Sequence, residues 1–118
     1  LHDQRRLWAA LAVVAALVIA LGSLTPGDEM PSQLPWDKLN HFVGYAGLGG
    51  LIGLAGVRLP LAFLLAAGYG GMVEFAQVPV PGRSGGDWAD ILANGLGAGS
   101  AVLMLAGLRR LMRFPRRT

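Results

Sequence analysis

Long apolar runs constrain this chain most, because the hydrocarbon core of a bilayer is crossed by about twenty helical residues. The run from Leu7 to Leu24 contains no charged residue and directly follows Arg5 and Arg6. Hydrophobic residues occupy 53% of the 118 positions and charged residues only 14%, a balance typical of a membrane protein. The sequence therefore predicts a single membrane domain covering residues 1–118.

Segments rich in proline and glycine separate the apolar runs, and we expect an all-α, polytopic bundle of four transmembrane helices. The predicted spans are 7–24, 37–57, 60–78 and 87–108. The first run could also be a signal peptide cleaved near Ala20–Gly22, but its length and the spans that follow favour a retained anchor. Gly49 with Gly53, and Gly95 with Gly99, form GxxxG motifs that predict close helix approach in lipid.

The basic residues predict the orientation of the bundle. With a cytoplasmic N-terminus, eight of the 10 basic residues fall on the cytoplasmic side: Arg5, Arg6, Arg58, Arg109, Arg110, Arg113, Arg116 and Arg117. Lys38 and Arg83 fall outside, so the positive-inside rule predicts that both termini are cytoplasmic. Because the basic residues flank apolar runs and do not form a polar face, the net charge of +3 does not indicate a nucleic-acid partner.

The apolar runs nevertheless carry polar side chains at helical spacing. Three lie four residues apart on the second span, two lie three apart on the third, and three follow at spacings of three and four on the fourth. Counted from the outer ends of the spans, these groups fall in the outer leaflet or at its rim. The candidate ligand-binding cluster consists of Asp37, His41, Tyr45, Glu74, Gln77, Arg83, Asp87, Asp90 and Asn94.

Several members of this set also have a structural interpretation. Asp37 and Asp87 are in positions suited to helix N-caps. Tyr45 suits a packed ring with a bonded hydroxyl, and Gln77 and Asn94 suit hydrogen bonds between helices.

The remaining candidates bear more directly on chemistry. His41 and Glu74 are ionisable groups inside spans, where a functional role and structural pairing are both open. Arg83 is the best anion binder, since its guanidinium fork matches a phosphate or carboxylate. The chain has no Cys, and one imidazole gives little support for a metal site, so we predict no metal and no cofactor.

The motifs DKLNHFVGY, EFAQ, PGR and DILANGLGA, in this order, resemble the VanZ-like family of small bacterial membrane proteins. The matching positions are Asp37, Lys38, His41, Phe42, Tyr45, Glu74, Gln77, Pro81, Gly82, Arg83, Asp90, Asn94 and Gly97. The resemblance covers residues 37–105 and implies a cell-envelope protein of the bacterial cytoplasmic (inner) membrane. The named member of that family is associated with teicoplanin resistance in glycopeptide-resistance clusters, which suggests a link to antibiotic resistance.

Two classes of function remain open at this point. The first is recognition of an anionic envelope lipid, or of a lipid-linked cell-wall component, by the polar cluster in the outer leaflet. The second is a small intramembrane hydrolase or transferase in which His41 and a carboxylate, Glu74 or Asp90, act as acid and base. An ion path is disfavoured because the inner halves of the spans are apolar. The membrane bilayer is the expected partner, and the oligomeric state stays open.

Overall fold

The computed structural model describes residues 2–24, 37–80 and 88–113, and their regular structure is α-helical throughout. The helices are α1 (His2–Leu24), α2 (Asp37–Leu54), α3 (Leu59–Ala76) and α4 (Trp88–Arg113). The all-α prediction is confirmed, but the helices and the apolar runs do not end at the same residues. Helices α1 and α4 continue into charged sequence at the ends rich in arginine, because a helical backbone does not require apolar side chains there.

The end of α2 is set by a glycine that reverses the chain. Gly56 has φ of 101°, a left-handed conformation that glycine adopts readily and that commonly follows a helix. Its backbone N–H donates to the carbonyl oxygen of Gly53 at 3.1 Å. Pro60 then lies in the first turn of α3, where proline is well tolerated. Helix α2 therefore ends at Leu54, three residues before the end of the predicted span 37–57, and the short connection makes α2 and α3 antiparallel neighbours.

Helix α2 packs against each of the other helices and most extensively against α4. A Cβ added to Gly49 would lie 3.3 Å from the Cα of Ala98, and one added to Gly97 would lie 3.0 Å from the Cα of Phe42. Such backbone contact is what small residues permit between helices. The prediction of close packing was wrong for Gly95, where an added Cβ meets nothing within 4 Å, because two residues along a helix point to nearly opposite faces.

Helix α1 is attached to the side of α2 and α3 by a narrow contact. Ala12 is the buried residue on its inner face, while Val18 and Leu21 are 61% and 71% exposed. The hydroxyl of Tyr69 donates to the carbonyl oxygen of Ala16 at 2.6 Å. Most of the apolar surface of α1 is therefore not covered by the other described helices.

Three helices in the described part of the chain are long and apolar enough to cross a membrane: α1, α3 and α4, over Gln4–Leu24, Leu59–Ala76 and Trp88–Met112. Helix α2 is as long as α3, at 18 residues, but it is not one of these three helices. Asn40, His41 and two charged residues in its first turns lower its mean hydropathy. The large apolar side chains on the outside of the bundle, such as Met72 and Leu103, fit a membrane protein.

Candidate functional site

One end of the bundle buries polar side chains between three helices. Glu74, Asp90 and Asn94 are 1%, 4% and 2% exposed, and the side chain of His41 is 13% exposed. His41 lies near the start of α2, Glu74 near the end of α3, and Asp90 with Asn94 near the start of α4. The antiparallel arrangement of α3 with α2 and α4 brings these termini to the same end of the molecule. We call these four residues the polar cluster.

His41 is held by an amide on the neighbouring helix. Its Nδ1 atom lies 2.9 Å from Oδ1 of Asn94. Because an amide oxygen only accepts hydrogen bonds, Nδ1 is the donor, and in the neutral ring Nε2 carries the lone pair. Nε2 lies 3.7 Å from Oδ2 of Asp90, which is longer than a hydrogen bond.

Glu74 completes the polar cluster from the third helix. One ligand atom each of His41, Glu74 and Asp90 lies within 4.8 Å of the other two. Two nearly fully buried carboxyl groups therefore lie close to one imidazole. Buried carboxylates are costly unless hydrogen bonds, protons or a cation compensate them.

Tyr45 lies one helical turn inward from His41 on the same face of α2. The residue is 2% exposed, and its hydroxyl has no hydrogen-bond partner among the described residues. A Cβ added to Gly70 would lie 3.1 Å from Cε1 of Tyr45 and 2.8 Å from Nδ2 of Asn94. One edge of the Tyr45 ring and the amide of Asn94 therefore both lie beside Gly70.

Sequence reasoning did not include Gly70 in the site. Its lack of a side chain makes room on α3 for both Tyr45 and Asn94. The signal was present, because Gly70 lies four residues before Glu74 and so shares its helix face. Tyr69 was also missed; its ring centroid is 6.4 Å from that of Tyr45, and it connects the site to α1.

The structure thus brings together five of the nine candidates: His41, Tyr45, Glu74, Asp90 and Asn94. Gln77 is buried but serves another contact, since its Nε2 donates to the carbonyl oxygen of Ser23 on α1 at 2.8 Å. Arg83 and Asp87 lie outside the described residues, as does the side chain of Asp37.

The opposite end of the bundle has a different chemistry. Nη2 of Arg109 donates to the carbonyl oxygen of Gly53, in the last turn of α2, at 2.9 Å. The side chain of Arg5 lies 3.3 Å from the place that a Cβ added to Gly56 would occupy. These arginines, with the exposed Arg58 and Arg110, form what we call the arginine end.

An apolar groove of about 510 Å³ lies between α3 and α4 in the half of the bundle nearer the arginine end. Its lining includes Pro60, Phe63 and Val102. The groove therefore does not adjoin the polar cluster.

No family model matches the chain, and neither a curated protein nor a solved structure is significantly similar to it. The resemblance to the VanZ-like family stays a prediction.

Proposed function

We propose that this chain is a VanZ-like integral protein of the bacterial cell envelope whose polar cluster recognises an anionic envelope lipid or a lipid-linked cell-wall component. The observation that carries the proposal is the burial of His41, Glu74, Asp90 and Asn94 between three helices of an otherwise apolar bundle. Ionisable residues inside a membrane bundle are expensive, and a functional site is the default interpretation of them.

The proposed topology has four spans, with both termini in the cytoplasm. Although α2 is not among the three helices apolar enough to cross a membrane by composition, its polar residues His41 and Tyr45 face other helices, which lowers their cost in a membrane. Helix α4 has 26 residues and is about 39 Å long, so its start and its arginines can reach opposite interfaces. The positive-inside rule assigns the arginine end to the cytoplasm and the polar cluster to the outer leaflet of the inner membrane.

Two features favour an anionic ligand at this end. Helices α2 and α4 both begin here, and helix N-termini attract negative charge. Arg83 belongs to the segment that connects α3 with α4, and its guanidinium can bind a phosphate through two hydrogen bonds. A site within the bilayer suits an amphiphile better than a free anion. The possible link to glycopeptide resistance rests on the family resemblance alone.

Lipid binding tests this proposal directly. The full chain is placed in nanodiscs of zwitterionic lipid and offered a polyprenyl phosphate or the uncharged polyprenol of the same length. We expect the phosphate to bind about tenfold more tightly or better, the worth of one charge-assisted hydrogen bond. Arg83→Gln should remove most of this preference, whereas Arg58→Gln, at the opposite end, should not. Equal binding of the two lipids would contradict the proposal.

A second experiment separates a ligand role of Arg83 from a structural one. If Arg83 only balances Glu74 or Asp90, Arg83→Gln should unfold easily, and Glu74→Gln or Asp90→Asn should rescue it. If Arg83 binds the ligand, the single variant should fold normally and lose lipid binding. Full rescue of stability and of binding by the charge-neutral pair would show that Arg83 only forms a structural ion pair and does not bind the ligand.

The geometry of His41 also supports a second candidate, an intramembrane hydrolase or transferase. Asn94 orients the ring so that Nε2 faces Asp90 at 3.7 Å, an arrangement in which the imidazole can take up a proton beside a carboxylate. Turnover of a lipid-linked phosphate by the purified protein, abolished by His41→Gln, would favour this function over simple recognition. Binding without turnover would favour recognition.

A further inference from the structure

We propose that His41, Glu74 and Asp90 bind a divalent transition-metal ion of the Zn²⁺ type, one ligand coming from each of α2, α3 and α4. This site goes beyond the proposed lipid recognition and does not depend on it. Sequence analysis predicted no metal, because one imidazole gives little support for a metal site. The structure adds their convergence from three helices.

The separations within the site are close to those of ligands on one ion. Donor atoms about 2.0–2.2 Å from a tetrahedral Zn²⁺ lie about 3.3–3.6 Å from one another. Nε2 of His41 and Oδ2 of Asp90 are 3.7 Å apart, and the ligand atoms of all three residues lie within 4.8 Å of one another. Side-chain movements of about 1 Å would bring the three donor atoms within coordination distance of one ion.

The hydrogen bond from Nδ1 of His41 to Asn94 prepares the ring for metal binding. Metal-ligating histidines usually donate their other ring N–H to a protein oxygen, which fixes the tautomer and the ring plane. Here that bond directs the Nε2 lone pair toward Asp90. A lone pair facing a carboxylate oxygen beyond hydrogen-bond distance is favourable when a cation lies between them.

Charge balance also favours a cation at this position. Glu74 and Asp90 are almost completely buried, and a divalent ion would neutralise two carboxylates at once.

The hydroxyl of Tyr45 is the independent observation that points to a ligand. Tyr45 is 2% exposed and lies one helical turn inward from His41, and its hydroxyl has no hydrogen-bond partner among the described residues. Buried hydroxyls without partners are rare in folded proteins. A metal-bound water or a coordinated carboxylate oxygen would supply the missing acceptor.

The donor set selects the class of metal. One imidazole nitrogen with carboxylate oxygens suits Zn²⁺, and also Mn²⁺, Fe²⁺ or Co²⁺. Ca²⁺ and Mg²⁺ prefer oxygen ligands throughout and should bind more weakly. The chain has no Cys, so thiolate cannot compete for the ion.

Metal binding by the purified full chain tests the inference. The protein is stripped with a chelator in detergent, loaded with Zn²⁺ and desalted, and its metal content is measured. We expect about one ion per chain, and at least tenfold weaker binding for His41→Gln, Glu74→Gln and Asp90→Asn. His2→Gln and Asp3→Asn change the same residue types in the first turn of α1, serve as matched controls, and should bind as wild type does. Absence of stoichiometric metal in the wild type, or undiminished binding by all three variants, would overturn the inference.

Wild-type spectroscopy decides the matter even if the variants fold poorly. The X-ray absorption spectrum of the Zn²⁺-loaded protein should show one imidazole ligand with the remaining ligands being oxygen. A spectrum with no imidazole, or with two, would overturn the assignment. Tyr45→Phe gives a further test, because it should weaken Zn²⁺ binding without lowering the thermal stability of the metal-free protein. Unchanged affinity in this variant would remove the support that the hydroxyl provides.

Discussion

The charged side chains are buried at one end of the helix bundle and exposed at the other. At the polar cluster, Glu74 and Asp90 are buried between helices, and their partners must come from inside the protein or from a ligand. At the arginine end, Arg109 is exposed and still reaches a carbonyl at the end of α2. A charged side chain at the surface of a bundle costs little free energy and can adopt many arrangements, whereas a buried charge is stable only with specific partners in a specific geometry. Substitutions at the polar cluster should therefore have larger effects on stability than substitutions at the arginine end.

The largest effect should come from separating α2 and α4 beside the polar cluster. In Gly97→Ala the new methyl group would overlap the backbone of Phe42, which cannot move aside as a flexible side chain can. We expect a loss of about 3 kcal/mol or more in the free energy of unfolding, the upper range for overpacking. Gly95→Ala and, at the arginine end, Gly107→Ala add a methyl to open space and should change stability by less than about 0.5 kcal/mol. Equal thermal stability of Gly97→Ala and Gly95→Ala in detergent would contradict the packing of these helices.

A smaller loss is expected when the amide that holds His41 is removed. Asn94→Ala leaves the buried Nδ1–H of His41 without its acceptor, a cost of about 1–3 kcal/mol. Leu96→Ala, on the exposed face of the same helix, is the matched control and should cost much less. Thermal unfolding of the two variants in the same detergent makes the comparison. A larger loss for Leu96→Ala would mean that the polar cluster does not hold the helices together.

The buried Tyr45 and the partly buried Tyr69 should respond differently to loss of the hydroxyl. Tyr69→Phe removes the hydrogen bond to Ala16 and should cost about 0.5–1.5 kcal/mol. Tyr45→Phe removes a hydroxyl without a partner in the described structure and should be neutral or stabilising in the metal-free protein. Denaturation of both variants under metal-free conditions provides the measurement. A destabilised Tyr45→Phe would show that its hydroxyl already has a structural partner.

The smallest effect is expected at the arginine end. Arg109→Ala loses the hydrogen bond to Gly53, but the side chain is exposed and water can replace it, so we expect about 0.5 kcal/mol. Arg110→Ala should change stability even less. If Arg109→Ala were as destabilising as Asn94→Ala, the contrast between the two ends would fail.

The sequence predicted those parts of the fold that depend on local pattern. The apolar runs gave the four helices, and the spacing of His41 with Tyr45, and of Asp90 with Asn94, placed each pair on one face. The antiparallel arrangement followed from the short connection after Gly56, so the convergence of His41, Glu74 and Asp90 could be anticipated.

Register and rotation between helices could not be obtained in this way. GxxxG suggested Gly95 as a contact, whereas the packing of α2 on α4 uses Gly97. Likewise Gln77 shares a helix face with Glu74 in sequence, yet it bonds to Ser23 because α1 lies beside the end of α3. The Gly97 contact and the Gln77 hydrogen bond both depend on which helix packs against a given helix face, and helical periodicity does not contain that information.

The central claim is that the polar cluster and the arginine end face opposite sides of the membrane, and cysteine labelling tests it most directly. The chain has no Cys, so single cysteines can be introduced at Gly27, Ser84 and Thr118 without a background signal. In intact cells, an impermeant thiol reagent should label the cysteines at positions 27 and 84 and should reach that at 118 only after the membrane is permeabilised. Labelling of position 118 alone in intact cells would reverse the orientation and contradict an outer-leaflet site.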